Sequence, residues 1–280
     1  MDAESWVASG ERVPVELRSG CYEVFVRVAG DGPWLTLLHA FPTSSWDWSR
    51  VTPQLEQRFR ILAFDFLGLG DSDKPHPHDY SIREQADLVE AVWARFGVAR
   101  TAVVAHDYGA TVAQELLARR AEAPNAAVLA NAALYAELAR PLLIQRLLAR
   151  PRLGPLLARA VTERTFARSI SAVSDVSKAD LHQMWRLLER RNGTRVVPSL
   201  LRYMRERREN AARWETALEQ TAVPLHLVWG MNDPRSGASV AERVVKRIPD
   251  TDLAALEAGH YPQLEAPDRV VDAIATALRA

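Results

Sequence analysis

Along most of the chain, short apolar runs alternate with longer stretches whose apolar positions recur every three or four residues. The short runs predict strands at 13–18, 21–29, 34–39, 61–65, 102–106, 126–130, 224–229 and 252–256. The longer stretches predict helices at 46–57, 81–96, 108–120, 238–247 and 267–279. The first two strands read as an antiparallel hairpin turning at Ser19-Gly20. The remaining alternation of strand and helix predicts an α/β fold: a mostly parallel eight-stranded sheet covered by helices on both faces. Ser81, with Glu84 three residues on, predicts a capping box, and Gly97 predicts the end of that helix.

The alternation stops between 132 and 219. That stretch is rich in Leu, Arg and Ala and punctuated by Pro141, Pro151, Pro155, Gly193 and Pro198, and no strand pattern appears in it. The pattern therefore predicts a core of residues 1–131 and 220–280, with a helical cap at 132–219 inserted between the sixth and seventh strands. Such an insertion would lie over the C-terminal ends of the strands, where open α/β sheets bind ligands. A separate helical domain or a dimerisation surface would give the same pattern.

Composition narrows the function. The 280 residues are 48% hydrophobic, enough for a sizeable core, and the formal net charge is zero. A neutral chain gives no ground for expecting nucleic acid or an anionic membrane as partner. No run approaches the roughly 18 apolar residues of a membrane span. The single cysteine, Cys21, permits no internal disulfide and fits a reducing compartment. The first residues, MDAESWVASGERVPVELRSG, lack a basic start followed by an apolar run. A cytoplasmic location is the resulting expectation; the oligomeric state stays open.

The candidate chemistry centres on Val104-Ala-His-Asp-Tyr-Gly-Ala110. An apolar strand, then small-x-nucleophile-x-small, then a helix is the frame of a nucleophile elbow, which usually holds serine. Here Ala105 and Gly109 are the small residues and Asp107 takes the serine's place. Serine suits acyl transfer, whereas a carboxylate suits displacement at a saturated carbon, leaving an alkyl ester for water to cleave. The plainer reading is an ordinary strand–turn–helix with Asp107 as helix N-cap.

Four further segments follow strands. After the third, Leu38-His-Ala-Phe-Pro-Thr offers the N–H of Phe41, which with the N–H of Tyr108 would form an oxyanion hole. After the fourth, Phe64-Asp-Phe-Leu-Gly-Leu-Gly-Asp-Ser-Asp-Lys-Pro has neither glycine spacing of a phosphate loop, and its Asp65, Asp71 and Asp73 read as hydrogen-bonding groups of a structural turn. After the seventh, Asp233 is free to orient a histidine; after the eighth, His260 is the candidate base. Nucleophile, acid, histidine is the chain order of α/β-hydrolase triads. Asn131, after the sixth strand, carries no charge, so Asp233 after the seventh is expected beside His260, and a pairing of His260 with Glu257 or Glu265 would overturn that assignment.

Other polar positions read as structural. His106 is expected to point behind the nucleophile, His182 and His226 to be structural, and His76 and His78 lack further metal ligands nearby. The run Arg202-Tyr-Met-Arg-Glu-Arg-Arg-Glu-Asn mixes signs and predicts a solvated helix face. Trp46, Trp48, Trp185, Phe41 and Phe166 are candidates for an apolar pocket or for plain core.

Taken together, His39-Ala-Phe-Pro, Gly68-Leu-Gly-Asp-Ser-Asp-Lys-Pro, His106-Asp-Tyr-Gly and Gly259-His resemble the α/β-hydrolase superfamily over nearly the whole chain. The His-Asp-aromatic-Gly elbow resembles the epoxide hydrolase and haloalkane dehalogenase branch. Val112-Ala-Gln-Glu-Leu-Leu, Leu200-Leu-Arg-Tyr-Met-Arg-Glu-Arg-Arg leading to Trp214, and His260-Tyr-Pro-Gln-Leu-Glu are similar to the mesoderm-specific transcript-like hydrolases. The resemblance implies hydrolysis of a small organic substrate, an epoxide to a vicinal diol first, with no metal or organic cofactor. It implies attack by Asp107, protonation of the opening oxygen by Tyr203 with Tyr135, and water activation by His260 and Asp233. Carbon–halogen hydrolysis, or a non-catalytic receptor or scaffold, are the alternatives. Two positions depart from the branch. Tyr108 replaces the usual tryptophan whose indole binds halide, and Tyr203-Met204-Arg205 stands where an aromatic-Tyr-Arg run is usual, so either Tyr203 is the acid or Met204 holds its slot.

Overall fold

A computed structural model describes residues 1–279. Eight strands form one sheet: β1 (Glu11–Leu17), β2 (Gly20–Ala29), β3 (Trp34–Leu38), β4 (Arg60–Phe64), β5 (Thr101–His106), β6 (Pro124–Ala130), β7 (Leu225–Gly230) and β8 (Asp252–Leu256). Their spatial order is β1-β2-β4-β3-β5-β6-β7-β8. β1 pairs antiparallel with β2, and β2 antiparallel with β4, while every later pairing is parallel. All six residues of β5 are buried. A central parallel strand is covered on both faces, which is why it reads as an unbroken apolar run.

The strand order places the site. From β3 the chain steps outward to β4, then returns to the other side of β3 to form β5. Successive connections therefore part at the C-terminal ends of β3 and β5, and such a switch point opens a crevice. Phe41 follows β3 and Asp107 follows β5, so both lie at its rim.

Helices Ile82–Phe96, Tyr108–Arg119, Ala238–Arg247 and Pro267–Ala277 cover the sheet. Ser81 caps the first by accepting from the Glu84 N–H, and Gly97 ends it in the left-handed region at φ 67°. The capping box is only half formed, because the Glu84 carboxylate turns instead to His78 and the Ser19 hydroxyl. The helix expected over 46–57 is two pieces, a 3-10 turn at Ser45–Trp48 and a short helix at Thr52–Leu55. Trp46 and Trp48 are both buried there, and residues two apart do not share a face of an α-helix. A short helix at Ala3–Ala8 buries only Ala3 and Trp6, too few positions to give a periodic signal.

Between β6 and β7 the chain is helical, with its longest segments at Glu163–Ser171, Lys178–Glu189 and Ala211–Gln220. Its attachment to the sheet layer includes several polar contacts. Asp71 pairs with Arg190 at 2.6 Å, and Lys74 Nζ donates to the Arg190 carbonyl at 2.9 Å. Asp65 braces the same turn by accepting from the Ser45 and Asp71 N–H groups, both at 2.7 Å. Trp214 Nε1 donates to Glu115 of the helix after β5 at 2.6 Å. The reading of Arg202–Asn210 as a solvated face is corrected: Tyr203, Glu206 and Arg207 are buried on the helix Tyr203–Glu209. Their i, i+3, i+4 spacing puts all three on one side, and that side faces inward. No helix among the described residues is long and apolar enough to cross a membrane.

Candidate active site

Asp107 leaves β5 with φ 46° and ψ −103°. A side chain larger than glycine at such a position costs about 1–3 kcal/mol, which the surrounding packing must hold. The carboxylate makes no capping bond to the helix it precedes, so the N-cap reading does not account for it. The strain instead presents the carboxylate at the crevice, where the Phe41 N–H lies 3.4 Å from Oδ2. Tyr108 opens the helix, so its N–H has no acceptor within that helix. Gly109 lets the turn pack closely: a Cβ there would come within 2.5 Å of the Leu38 carbonyl oxygen.

Across the crevice, His260 Nδ1 lies 2.7 Å from Asp233 Oδ2. The Asp233 carboxylate also accepts from the Arg235 N–H at 2.9 Å, from the Ser236 hydroxyl and from Asn131 Nδ2 at 3.3 Å. Asn131 itself braces the end of β7, accepting from Gly230 N–H at 2.7 Å and donating to its carbonyl at 2.8 Å. Burial alone would raise the Asp233 carboxyl, but His260 and these donors hold it well below the usual carboxylate range. Burial alone would lower His260; the Asp233 charge and hydrogen bond outweigh it, and the net shift is upward from 6.5. Nδ1 donates to Asp233, which leaves Nε2 as the basic atom. Nε2 stands 4.0 Å from Asp107 Oδ1, beyond a direct hydrogen bond.

The His260 backbone is held on every side. Its N–H donates to the Val173 carbonyl in the helical insertion at 2.9 Å. Its carbonyl accepts from His106 Nε2 at 2.7 Å, and Gln263 Nε2 donates to the other ring nitrogen of His106 at 3.1 Å. Burial keeps His106 far below the usual histidine range, so the ring is neutral and this tautomer is fixed. The buried His106 ring thus supports the backbone of the base. Glu265 accepts from the N–H groups of Gly259 at 2.9 Å, Tyr261 at 3.2 Å and Asp175 at 3.2 Å, and from the Ser174 hydroxyl. It thus joins both neighbours of His260 to the insertion. The sequence presents Glu265 only as a rival to Asp233, and nothing in the residue pattern marks its bonds to these backbone N–H groups.

A cavity of about 320 Å³ joins Asp107, His260, Phe41, Tyr203, Arg207 and Arg235 under the insertion. The Tyr203 ring packs edge-on against Tyr108 at 5.2 Å and tilted against Phe41 at 5.7 Å. Burial, with Asp107 nearby, pushes its hydroxyl up to about 12. Four residues expected at the pocket, Tyr135, Trp46, Trp48 and Trp185, are not in its lining, and Trp48 is plain core. Tyr135 is buried with its ring under the Arg243 guanidinium at 5.7 Å; Ala133 and Ala136 on either side of it line the cavity, so the side chain, not the chain, turns away. Trp46 faces the N-terminal segment, where its Nε1 donates to the Met1 carbonyl at 3.0 Å. Trp185 packs against Phe166 at 5.8 Å, and Phe166 is the one that reaches the cavity.

The profile of the α/β hydrolase fold matches residues 33–267. The chain belongs to this α/β-hydrolase family. The hydrolase is 37% identical over 280 residues to the mesoderm-specific transcript homolog protein of Bos taurus, covering 94% of this chain and 84% of the relative. It is 39% identical over 262 residues, covering 90% of each chain, to LipZ of Mycobacterium tuberculosis, whose name describes a hydrolase. Its fold matches a solved structure, the epoxide hydrolase CorEH, with a TM-score of 0.80 at 20% identity, over 96% of this chain and 99% of that one.

Proposed function

We propose that this α/β-hydrolase opens an epoxide to a vicinal diol through an alkyl ester on Asp107, with residues 132–219 serving as a cap that closes the pocket. The observation that carries the reading is a carboxylate at the strained elbow, with the basic nitrogen of His260 4.0 Å away. A serine nucleophile needs its histidine in contact to lose a proton. A carboxylate attacks as it is, and the histidine is needed only for the water that follows.

Asp107 attacks a ring carbon and the carbon–oxygen bond breaks. The opening oxygen takes the Tyr203 proton. His260 Nε2 then removes a proton from water, and the hydroxide adds to the Asp107 ester carbonyl. The resulting oxyanion is held by the N–H groups of Phe41 and Tyr108. Collapse expels the diol oxygen, which takes the proton from His260. The proton left on the new Asp107 carboxyl restores the Tyr203 phenol. Nothing in this sequence calls for a metal or organic cofactor, and Asp233 holds the imidazolium while it is charged.

The test is mass spectrometry of His260→Gln incubated with styrene oxide. The expected result is protein heavier by one epoxide, with the adduct mapped to Asp107, and no adduct on Asp107→Ala. Absence of any adduct from an epoxide that the wild type turns over removes the alkyl-ester mechanism. Halide release from a haloalkane panel, with no epoxide turnover, would select carbon–halogen hydrolysis. No turnover of either class would select a binding role.

A further inference from the structure

We infer that Arg207 and Arg235 form an anion subsite beside the reacting centre, and that the substrate carries a carboxylate close to the carbon attacked, with an apolar remainder under the cap. The inference rests on the proposed reaction for the word "attacked", but the subsite stands on its own geometry. Arg207 is 7% exposed and lines the cavity that holds Asp107. Its Nη2 donates to the neutral Thr111 hydroxyl at 2.6 Å, and its guanidinium lies over the Tyr203 ring at 5.0 Å. Its Nε is buried with no hydrogen-bond partner. The adjacent Glu206 does not neutralise it: one oxygen accepts from the Ile82 N–H at 2.7 Å and the other from Arg202 at 2.9 Å.

Arg235, on the loop after β7, is half-buried and lines the same cavity. Its Nε donates to the Arg140 carbonyl at 2.6 Å. No ion pair within 4.0 Å forms at either guanidinium among the described residues. Among the described residues Asp107 is the only carboxylate in the lining, against Arg140, Arg207, Arg208 and Arg235. A buried, unpaired guanidinium is strongly destabilising unless an anion answers it, and its forked donors match a carboxylate. Much of the remaining wall is aliphatic, including Leu148, Leu157, Val161 and Ile170, which suits a hydrocarbon remainder. Two cations beside Tyr203 also offset the repulsion that a carboxylate substrate would meet from Asp107.

Titration of the intact wild type with phenylacetate and with phenylacetamide tests the subsite without any turnover. The two probes share shape and differ in charge. Phenylacetate is expected to bind tighter by about tenfold or more, as charge-assisted hydrogen bonds allow. Arg207→Gln is expected to remove that preference while amide binding stays put, and Arg207→Lys to restore part of it. Arg235→Gln gives an independent reading should Arg207→Gln fold poorly. Equal affinities for acid and amide, equal weakening of both by Arg207→Gln, or no binding of either at millimolar concentration would overturn the subsite. A carboxylate preference in a protein that opens no epoxide would overturn the proposed reaction instead.

Discussion

His260 and Asp233 meet at 2.7 Å, Nδ1 to Oδ2, while the other face of the imidazole looks across 4.0 Å to Asp107. The pairing raises His260 above 6.5, with the Asp233 charge overcoming the opposing effect of burial. Because a protonated imidazole accepts no proton from water, ester hydrolysis is expected to fall on the acid side, with the Asp233 charge holding the limb up. Single-turnover decay of the Asp107 adduct, measured against pH, reads that limb directly. Asp233→Asn removes the charge, so the limb is expected to move to lower pH and the decay to slow by about 10⁴. A limb that stays in place in Asp233→Asn would remove Asp233 from this role. The raised His260 contributes stability that is complete below its unfolded value and is lost as pH rises through its folded one.

Tyr203 shares the cavity with Asp107, and its phenol, pushed up to about 12, stays protonated at neutral pH. A protonated donor is what an opening epoxide requires. Tyr203→Phe is expected to slow formation of the Asp107 adduct by about 10²–10⁴, the usual range for a positioned acid, and to leave adduct hydrolysis nearly unchanged. Rapid-quench mass spectrometry separates the two steps. Equal adduct formation in wild type and Tyr203→Phe would take the phenol out of the chemistry.

Much of the sheet was legible because buried parallel strands are continuous apolar runs, and β5, with every residue buried, is the clearest of them. The loops after β3, β5, β7 and β8 were legible because their residue types come in a fixed order at strand ends. The helical insertion was less so. The spacing of Tyr203, Glu206 and Arg207 on one helix face was visible, but the side from which the sheet layer would cover that face was not. Charge then suggested solvent where packing provides a cavity wall. Tyr135 differs for a related reason: its neighbours Ala133 and Ala136 do line the cavity, but position in an irregular segment does not say which way one side chain points. Glu265 and His106 act on the backbone of His260, and backbone contacts leave no pattern in a single sequence.

Glu265 is a positioning residue by its contacts, since three backbone N–H groups and a hydroxyl converge on its carboxylate and none belongs to the reacting groups. Glu265→Ala leaves those N–H groups without their acceptor, at about 1–3 kcal/mol for each that stays buried, so a clear drop in Tm is expected. A purely structural role would stop there. The Glu265 contacts flank His260 on both sides, at Gly259 and Tyr261, so the imidazole should lose its alignment as well. Asp107 is fixed by the elbow and by Phe41, independently of Glu265. Adduct formation should therefore survive in Glu265→Gln, while adduct hydrolysis slows by about tenfold or more, the penalty for misplacing a reacting group by a fraction of an ångström. Rapid-quench measurement of both steps at a temperature well below the Tm of the variant decides the matter. Equal slowing of the two steps would mean that Glu265 supports the fold alone.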